Sequence, residues 1–369
     1  MPDQPDAEGR GTDPREPGSA FAESWTAEAI VSSAPTASVS AVAYAELDSR
    51  PVAVAVGDAT LSVWDLESGR PLARSQGSDP SALPPLEAHL LHVGATSSGG
   101  EPVAVTGDVG GRVQVWDLRT GEPLGKPLVS FGSRVKAVTA SWDAAPGLVL
   151  FSQGAGATTS VYSTPVPDGG LQVWDIAERR SLRFLSHGGY TDSITVGEHA
   201  GRAIAAAAVT YANRPLIDPM ESESRVVAWD VKSGEQLGGV LEPEKYDYVD
   251  SVAIGSVADR ATVVGVTSGG LRVWDPVEGR ATGHVPCPGK IQAVSWGRFG
   301  ERPVVVAAGG DPRPGGRNWL RMWDPSDWRM IGETSTGNGV LSGCAPTPGG
   351  QVIIPWGKSI KVLRYVGGG

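Results

Sequence analysis

Six Trp-Asp pairs recur along the chain, and each ends a short apolar run that a polar turn follows. The segments are LSVWDLESGRPL, VQVWDLRTGEPLG, LQVWDIAERRSL, VVAWDVKSGEQLG, LRVWDPVEGRATG and LRMWDPSDWRMIG. Their tryptophans, Trp64, Trp116, Trp174, Trp229, Trp274 and Trp323, are separated by 52, 58, 55, 45 and 49 residues. A repeat of this length is one supersecondary unit that buries its apolar face only by stacking on neighbours. We therefore expect an array of repeats rather than two or three unrelated domains.

Each repeat reads as four short strands. In the fifth copy, VDSVAIGS, ATVVGVT, LRVWD and RATGHV are separated by the turns ADR, SGG and PVEG. Alternating apolar runs broken by glycine-containing turns predict an antiparallel four-stranded meander. We label its strands a to d, from the inside of the array outward.

Strand a recurs seven times, although only six Trp-Asp pairs exist. The seven segments begin at Val39, Leu90, Val135, Thr191, Val249, Ile291 and Val340. In the last copy, strand c is SIKVLRY, with Leu363 and Arg364 in place of Trp-Asp, and no strand d follows. The segment SWTAEAIVSS, at 24–33, precedes the first strand a. We predict that it supplies the missing outer strand and so hides sheet edges that an open array would expose.

The pattern resembles the WD-repeat β-propeller family over about residues 24–366. The resemblance implies an all-β fold, a single seven-bladed propeller over residues 22–369, after a disordered tail at 1–21. In this family a His before strand a, a Ser or Thr, an Asp of the b–c turn and the Trp form a buried polar network. Only the second copy has all four parts, His89, Thr106, Asp108 and Trp116. Trp142-Asp143 follows a strand a and falls outside the register.

We expect a structural role for the repeated pairs, because a large ring at the end of a strand packs between blades. The residues concerned, with His89, Thr106 and Asp108, are Trp64, Asp65, Trp116, Asp117, Trp174, Asp175, Trp229, Asp230, Trp274, Asp275, Trp323 and Asp324.

Composition excludes several classes of partner. A net charge of −10 opposes binding to nucleic acid or to an anionic membrane. The longest apolar stretch, around Ala203–Ala208, is too short to span a bilayer, and the N-terminus does not resemble a secretory signal. Cys287 and Cys344 suggest neither a disulfide framework nor a metal site. We expect a cytoplasmic monomer without a cofactor. The Ala-, Gly-, Val- and Arg-rich composition is typical of a GC-rich bacterial genome.

Candidate catalytic residues are scarce. The five histidines form no metal-binding signature, and neither a Gly-x-Ser-x-Gly elbow nor a P-loop is present. Asp192 and Asp250 occupy equivalent positions of adjacent copies, so we expect them to lie too far apart to share a proton. The sequence therefore predicts no catalytic residue, no metal ligand and no enzyme.

The long connections all belong to one predicted face. The b–c loops are enlarged in the third, fourth and sixth copies, and the d–a loops after the first and fourth. Insertions confined to one face of a repeat array usually mark the binding face. We assign partner-binding roles to loop residues of the kind enriched in protein interfaces. They are Tyr211, Tyr246, Tyr248, Arg313 and Trp319.

The second residue of each strand a is also predicted to circle the channel mouth on this face. These residues are Ser40, Leu91, Lys136, Asp192, Asp250, Gln292 and Leu341. Their varied chemistry suits recognition of a peptide, so Lys136, Asp192, Asp250 and Gln292 are also assigned to partner binding.

We interpret the chain as a non-enzymatic scaffold that binds a protein or peptide on the face bearing the b–c and d–a loops. One alternative is a propeller enzyme with an active site at the channel mouth. The other is a regulatory or sensor module that works with a separately encoded effector.

Overall fold

The computed structural model describes residues 25–31, 39–57, 60–76, 90–96, 102–108, 110–130, 135–141, 148–153, 169–212, 222–243, 247–311, 316–337 and 341–366. Its regular elements are 28 β-strands, numbered β1 to β28 along the chain. In these residues there is no helix of the length and apolarity that crossing a membrane requires.

Six blades are each built from four consecutive antiparallel strands. Blade 1 contains β2 (Ala41–Leu47), β3 (Arg50–Gly57), β4 (Thr60–Asp65) and β5 (Pro71–Gln76). Blade 2 contains β6 (Leu90–Thr96), β7 (Val103–Asp108), β8 (Arg112–Asp117) and β9 (Val129–Ser130). Blade 3 contains β10 (Val135–Ser141), β11 (Leu148–Gln153), β12 (Gly170–Asp175) and β13 (Arg180–Ser186).

Blade 4 contains β14 (Tyr190–His199), β15 (Arg202–Ala212), β16 (Ser222–Asp230) and β17 (Gln236–Leu241). Blade 5 contains β18 (Val252–Val257), β19 (Arg260–Thr267), β20 (Gly270–Asp275) and β21 (Arg280–Pro286). Blade 6 contains β22 (Lys290–Phe299), β23 (Arg302–Gly310), β24 (Asn318–Asp324) and β25 (Arg329–Gly337). The prediction of an all-β propeller with four-stranded antiparallel blades is confirmed.

A further four-stranded sheet combines the two ends of the chain. It consists of β1 (Trp25–Val31), β26 (Ala345–Pro346), β27 (Gln351–Trp356) and β28 (Ser359–Tyr365), in the order β1-β28-β27-β26. β1 pairs antiparallel with β28, which is the pairing predicted for segment 24–33. We call this sheet the composite sheet.

Strand b of each blade is buried on both faces, because a neighbouring sheet packs against each side. In β3, every residue from Val52 to Val56 is buried, and in β23 so is every residue from Val304 to Ala308. Outer strands alternate instead, as in β13, where Leu185 is buried and Phe184 is exposed. These patterns explain the near-continuous apolar runs of strand b and the mixed sequences of strand d.

Each repeated tryptophan packs into the core between its blade and a neighbouring sheet, which is the preceding blade for the five that follow Trp64. Trp116 of blade 2 lies among residues of blade 1, and Trp229 of blade 4 lies among residues of blade 3. Trp274 and Trp323 follow the same rule with blades 4 and 5. Five of the six rings are at most 3% exposed, and Trp174 is half-buried. In the described core, these rings therefore pack between sheets.

The aspartate after each tryptophan organises the c–d turn. In all six blades its Oδ1 accepts a backbone N–H from two or three residues ahead, as from Ser68 to Asp65 at 2.7 Å. Such side-chain acceptors stabilise a turn by satisfying amides that the strands leave free. The turn then closes at a residue with positive φ, which is a glycine in blades 1, 2, 4 and 5 but Arg179 and Trp328 in blades 3 and 6.

The connections between strands differ in length between the two faces. Between strands b and c lie 154–169, 213–221 and 311–317, and between strands d and a lie 77–89 and 242–251. Most a–b and c–d connections are short, as at 48–49, 200–201 and 276–279. Blade 2 is an exception, because its c–d connection is 118–128 and its outer strand is only Val129–Ser130. The longest connections otherwise follow the predicted asymmetry, although the a–b connections 97–102 and 142–147 are also longer than the other a–b turns.

Candidate binding face at the inner-strand bulges

A β-bulge recurs near the start of strand a, at the residue predicted to line the channel mouth. Leu91, Lys136, Asp192 and Gln292 each stand as an extra residue between two paired neighbours. Ser40 has the same geometry, because its N–H donates to Val56 O at 2.8 Å although Ala41 already pairs with Val56. A bulge leaves one residue outside the ladder and redirects its side chain.

Blade 5 repeats the feature. The N–H of Asp250 donates to Val266 O at 3.2 Å, and the N–H of Val266 donates to Ser251 O at 2.9 Å. Two residues of strand a therefore face one residue of strand b. In all six blades the bulge lies at the end of the strand from which the d–a and b–c connections leave.

The prediction fails at Leu341. This side chain is fully buried in the core between blade 6 and the composite sheet. The next residue, Ser342, is exposed, and its Oγ donates to Ser40 O at 2.7 Å. Because side chains alternate along an extended chain, a register error of one residue exchanges a buried position for an exposed one. We call Ser40, Leu91, Lys136, Asp192, Asp250, Gln292 and Ser342 the rim residues.

Three rim residues interact electrostatically. Partial desolvation raises the pKa of Asp192 above its ordinary value, and the nearby negative charge of Asp250 acts in the same direction. The Thr210 hydroxyl, which donates to Asp192 Oδ2 at 2.6 Å, and the positive charge of Lys136 oppose the increase. The negative charge of Asp250 therefore acts on Asp192.

Gln292, another polar rim residue, links two sheets. Its Oε1 accepts the backbone N–H of Leu341 at 3.2 Å, while its side chain remains exposed. Farther along the inner strands, the N–H of Val252 donates to Ser193 Oγ at 3.2 Å and that of Val294 to Ser251 Oγ at 3.3 Å. These hydrogen bonds link the inner strands of neighbouring sheets close to the rim residues.

The aromatic residues assigned to loops differ in accessibility. Tyr248 is 37% exposed in the connection after blade 4. Tyr211 lies in β15, donates its hydroxyl to His187 O at 2.7 Å and is covered by the Arg225 guanidinium, 4.9 Å from the ring centroid. Desolvation raises its pKa, and the charge of Arg225 opposes this. Tyr211 is thus held in place by these two contacts near the end of β15, just before the 213–221 connection.

The loop placement of Trp319 is wrong. It lies within β24, is only 7% exposed and packs in the core between blades 5 and 6. Arg321 stacks on its outer face, 4.1 Å from the ring centroid. An apolar ring at an inward strand position packs into the core, so little of it is available to a partner. Tyr246 and Arg313 lie outside the described residues, and their assignment stays a prediction.

The polar network expected in blade 2 is formed in part. Trp116 Nε1 donates to Thr106 Oγ1 at 2.8 Å. Asp108 is buried but is bound by Arg112, whose Nε lies 2.7 Å from Oδ2 and whose backbone N–H donates to Oδ1 at 2.8 Å. Its expected partner His89 lies outside the described residues.

His187 shows a second arrangement beside Trp229. Its Nδ1 accepts the N–H of Gly189 at 3.2 Å, so Nε2 carries the proton and donates to Thr191 Oγ1 at 2.9 Å. The rings of His187 and Trp229 lie 6.1 Å apart. Burial lowers the pKa of His187 to about 4, so the imidazole is neutral at pH 7. This histidine is therefore a packing element with two satisfied nitrogens.

Among the described residues, no group of three or more His, Cys, Asp or Glu side chains could hold a metal ion. Burial raises the pKa of both cysteine thiols, and for Cys344 the value is about 11. Both thiols are buried and unlinked.

Comparison with known proteins identifies the fold. A solved structure described as "Structure of U3-55K" superimposes on the chain with a TM-score of 0.65 and 13% sequence identity. The alignment covers 93% of this chain and 99% of that chain. No protein-family model and no curated protein gives a significant match. At this identity the similarity establishes a β-propeller.

Proposed function

We propose that this protein is a non-enzymatic scaffold that binds a protein or peptide on the face bearing the b–c and d–a connections. The observation that carries the proposal is the bulge repeated on strand a of six blades. Bulges turn side chains out of the ladder and are over-represented next to functional sites. Here the bulged residues, which differ in chemistry, all lie at the strand ends of one face.

The rim residues suit recognition of a polypeptide. They include a lysine, two aspartates, a glutamine and two serines, which offer both charges and both kinds of hydrogen-bonding group. The longest connections join strand ends on the same face, and connections of this kind commonly carry binding residues. Tyr248 is exposed there, and tyrosine is among the residues that dominate interface energetics.

We also infer that the composite sheet is a seventh blade and that β1 closes the ring. Trp64 of blade 1 packs against Ile353 and Ile360 of the composite sheet, just as the other tryptophans pack against a preceding blade. On its other side, Leu363 packs with residues of blade 6. Both contacts support a position of the composite sheet between blades 6 and 1, as a closed propeller requires.

The WD-repeat assignment follows from the same features. Six Trp-Asp pairs end strand c, each tryptophan packs on the preceding sheet, and each aspartate organises the c–d turn. These features support the proposal that the chain belongs to the WD-repeat family and assembles proteins. The setting that we propose, the cytoplasm of a bacterium, rests on composition alone. We propose that the chain acts as a monomer.

The proposed face is tested by two charge exchanges that leave the net charge unchanged. Lys136→Glu with Asp250→Lys alters the rim, whereas Lys232→Glu with Glu235→Lys alters an exposed c–d turn on the opposite face. A partner is first recovered by affinity capture and identified by mass spectrometry, and its binding is then measured with purified proteins. The rim exchange is expected to weaken binding at least tenfold, about 1.4 kcal/mol, at an unchanged melting temperature.

The turn exchange is the matched control and is expected to bind normally. If it abolishes binding while the rim exchange does not, the partner binds the other face and the assignment is wrong.

A further inference from the structure

A cleft of about 400 Å³ lies on the opposite face, where the a–b and c–d turns of blade 5 meet the end of strand a of blade 4. Its volume is in the range of small-molecule sites. Its lining residues are His199, Asp259, Arg260, Ala261, Asp275, Val277, Glu278 and Arg280. None of these is a rim residue.

The repeats themselves show what this position ordinarily contains. In blade 4, Arg202 at the start of strand b binds Asp230 at the end of strand c, with a nitrogen–oxygen distance of 2.7 Å. In blade 6, Arg302 and Asp324 form the same ion pair at 2.7 Å. The equivalent residues of blade 5 are Arg260 and Asp275.

In blade 5 this ion pair is not formed. Asp275 is only 7% exposed, and its Oδ1 accepts the backbone N–H groups of Val277 and Glu278, both at 2.9 Å. Within the described residues its Oδ2 accepts no hydrogen bond. The carboxylate of a largely buried residue therefore borders the cleft without the guanidinium that its counterparts have.

The basic side chains of the cleft are also available. Neither Arg260 nor Arg280 forms an ion pair in the described part of the chain. His199 binds Ser256 Oγ through Nδ1 at 3.2 Å, which leaves Nε2 for a ligand. The cleft thus offers two exposed guanidinium groups beside the carboxylates of Asp275, Glu278 and Asp259.

We propose that this cleft binds a small molecule that carries both a carboxylate and an amino group, of which a free α-amino acid is the simplest. The carboxylate would lie between Arg260 and Arg280, because guanidinium groups bind carboxylates through paired hydrogen bonds. The ammonium group would donate to Asp275 Oδ2, where an arginine binds in blades 4 and 6. A purely anionic ligand would face three carboxylates, and a purely cationic one would face two arginines.

Isothermal titration calorimetry with each of the twenty standard L-amino acids tests the proposal on the full chain. We expect saturable one-to-one binding of at least one amino acid. Its amine-only and carboxylate-only analogues are expected to bind at least tenfold more weakly. Absence of binding by every amino acid at millimolar concentration would overturn the proposal, as would equal binding of either analogue.

Two variants locate the binding. Arg260→Gln with Arg280→Gln is expected to reduce affinity at least tenfold. Arg302→Gln removes the equivalent arginine of blade 6, outside the cleft, and is expected to leave affinity unchanged. Folding of each variant is checked by its circular dichroism spectrum and melting temperature. Undiminished binding by the folded double variant would place the ligand elsewhere and refute the site.

Discussion

The indole Nε1 of Trp116 donates a hydrogen bond of 2.8 Å to Thr106 Oγ1, and both groups are buried. Thr106 lies two residues beyond Ala104, which pairs directly with Trp116 across the sheet. The equivalent residues in blades 1, 3 and 5 are Ala55, Phe151 and Gly265, which carry no hydroxyl. In those three blades the indole N–H groups have no hydrogen-bond partner among the described residues.

Removal of the Thr106 hydroxyl is expected to destabilise the protein. Thr106→Val keeps the shape of the side chain but leaves the buried Trp116 N–H unpaired, which costs about 1–3 kcal/mol. Urea unfolding followed by tryptophan fluorescence measures the loss. An unchanged free energy of unfolding would show that the hydrogen bond is not needed.

Addition of the missing hydroxyl to blade 1 is expected to have the opposite effect. Ala55→Ser places a hydroxyl where the unpaired Nε1 of Trp64 can reach it, and should stabilise the protein by about 0.5–1 kcal/mol. Ala53→Ser is the control, because it buries a hydroxyl directly across from the tryptophan and should be destabilising. Equal effects of the two substitutions would contradict the positional argument.

His187 predicts a pH dependence of stability. Its pKa is about 4 in the folded protein and near 6.5 when unfolded, so the unfolded state binds more protons between these values. The contribution of neutral His187 to the free energy of unfolding should therefore be complete above pH 6.5. The free energy of unfolding should decrease by up to about 3 kcal/mol as the pH falls to 4. In His187→Asn, which keeps an acceptor for the Gly189 N–H, this decrease should be smaller. Urea unfolding at several pH values compares the two, and parallel profiles would assign the dependence to other groups.

The ion pairs of the c–d turns predict unequal effects of equivalent aspartates. Burial opposes ionisation of Asp230, but hydrogen bonds from Ser233 and Arg202 outweigh it and lower the pKa. Asp230→Ala removes both the turn hydrogen bonds and the ion pair with Arg202, whereas Asp275→Ala removes only turn hydrogen bonds. We expect Asp230→Ala to cost more by about 0.5–1 kcal/mol, a small difference because Arg202 is half-exposed. Thermal unfolding of both variants tests which substitution costs more stability. A larger loss in Asp275→Ala than in Asp230→Ala would contradict the prediction.

Truncation tests ring closure. Deletion of residues 1–20 removes a polar Pro- and Gly-rich segment and should leave the melting temperature unchanged. Deletion of 1–34 also removes β1 and exposes the edge of β28, so we expect aggregation or a large loss of stability. Differential scanning fluorimetry with light scattering distinguishes these outcomes. A longer truncation that melts like the full chain would refute closure by β1.

The sequence by itself determined the repeat and its strands. Trp-Asp at the end of an apolar run located strand c in six copies, and the pairing of segment 24–33 was predicted because the last copy lacked an outer strand. These features are local, since alternation of apolar residues and turn residues acts over four to eight positions.

Only the tertiary structure decided which residues lie at the rim of the proposed binding face and which charged side chains pair. The inner-strand bulges insert one residue without a clear sequence signal, and one residue of shift exchanged Leu341 for Ser342 at the rim. Trp319 looked like a loop residue until β24 placed it in a core between blades. The pairing of Arg202 with Asp230, and its absence between Arg260 and Asp275, depends on side chains of different strands. These features depend on packing between strands and sheets that lie far apart in the sequence. A short stretch of sequence therefore does not predict them.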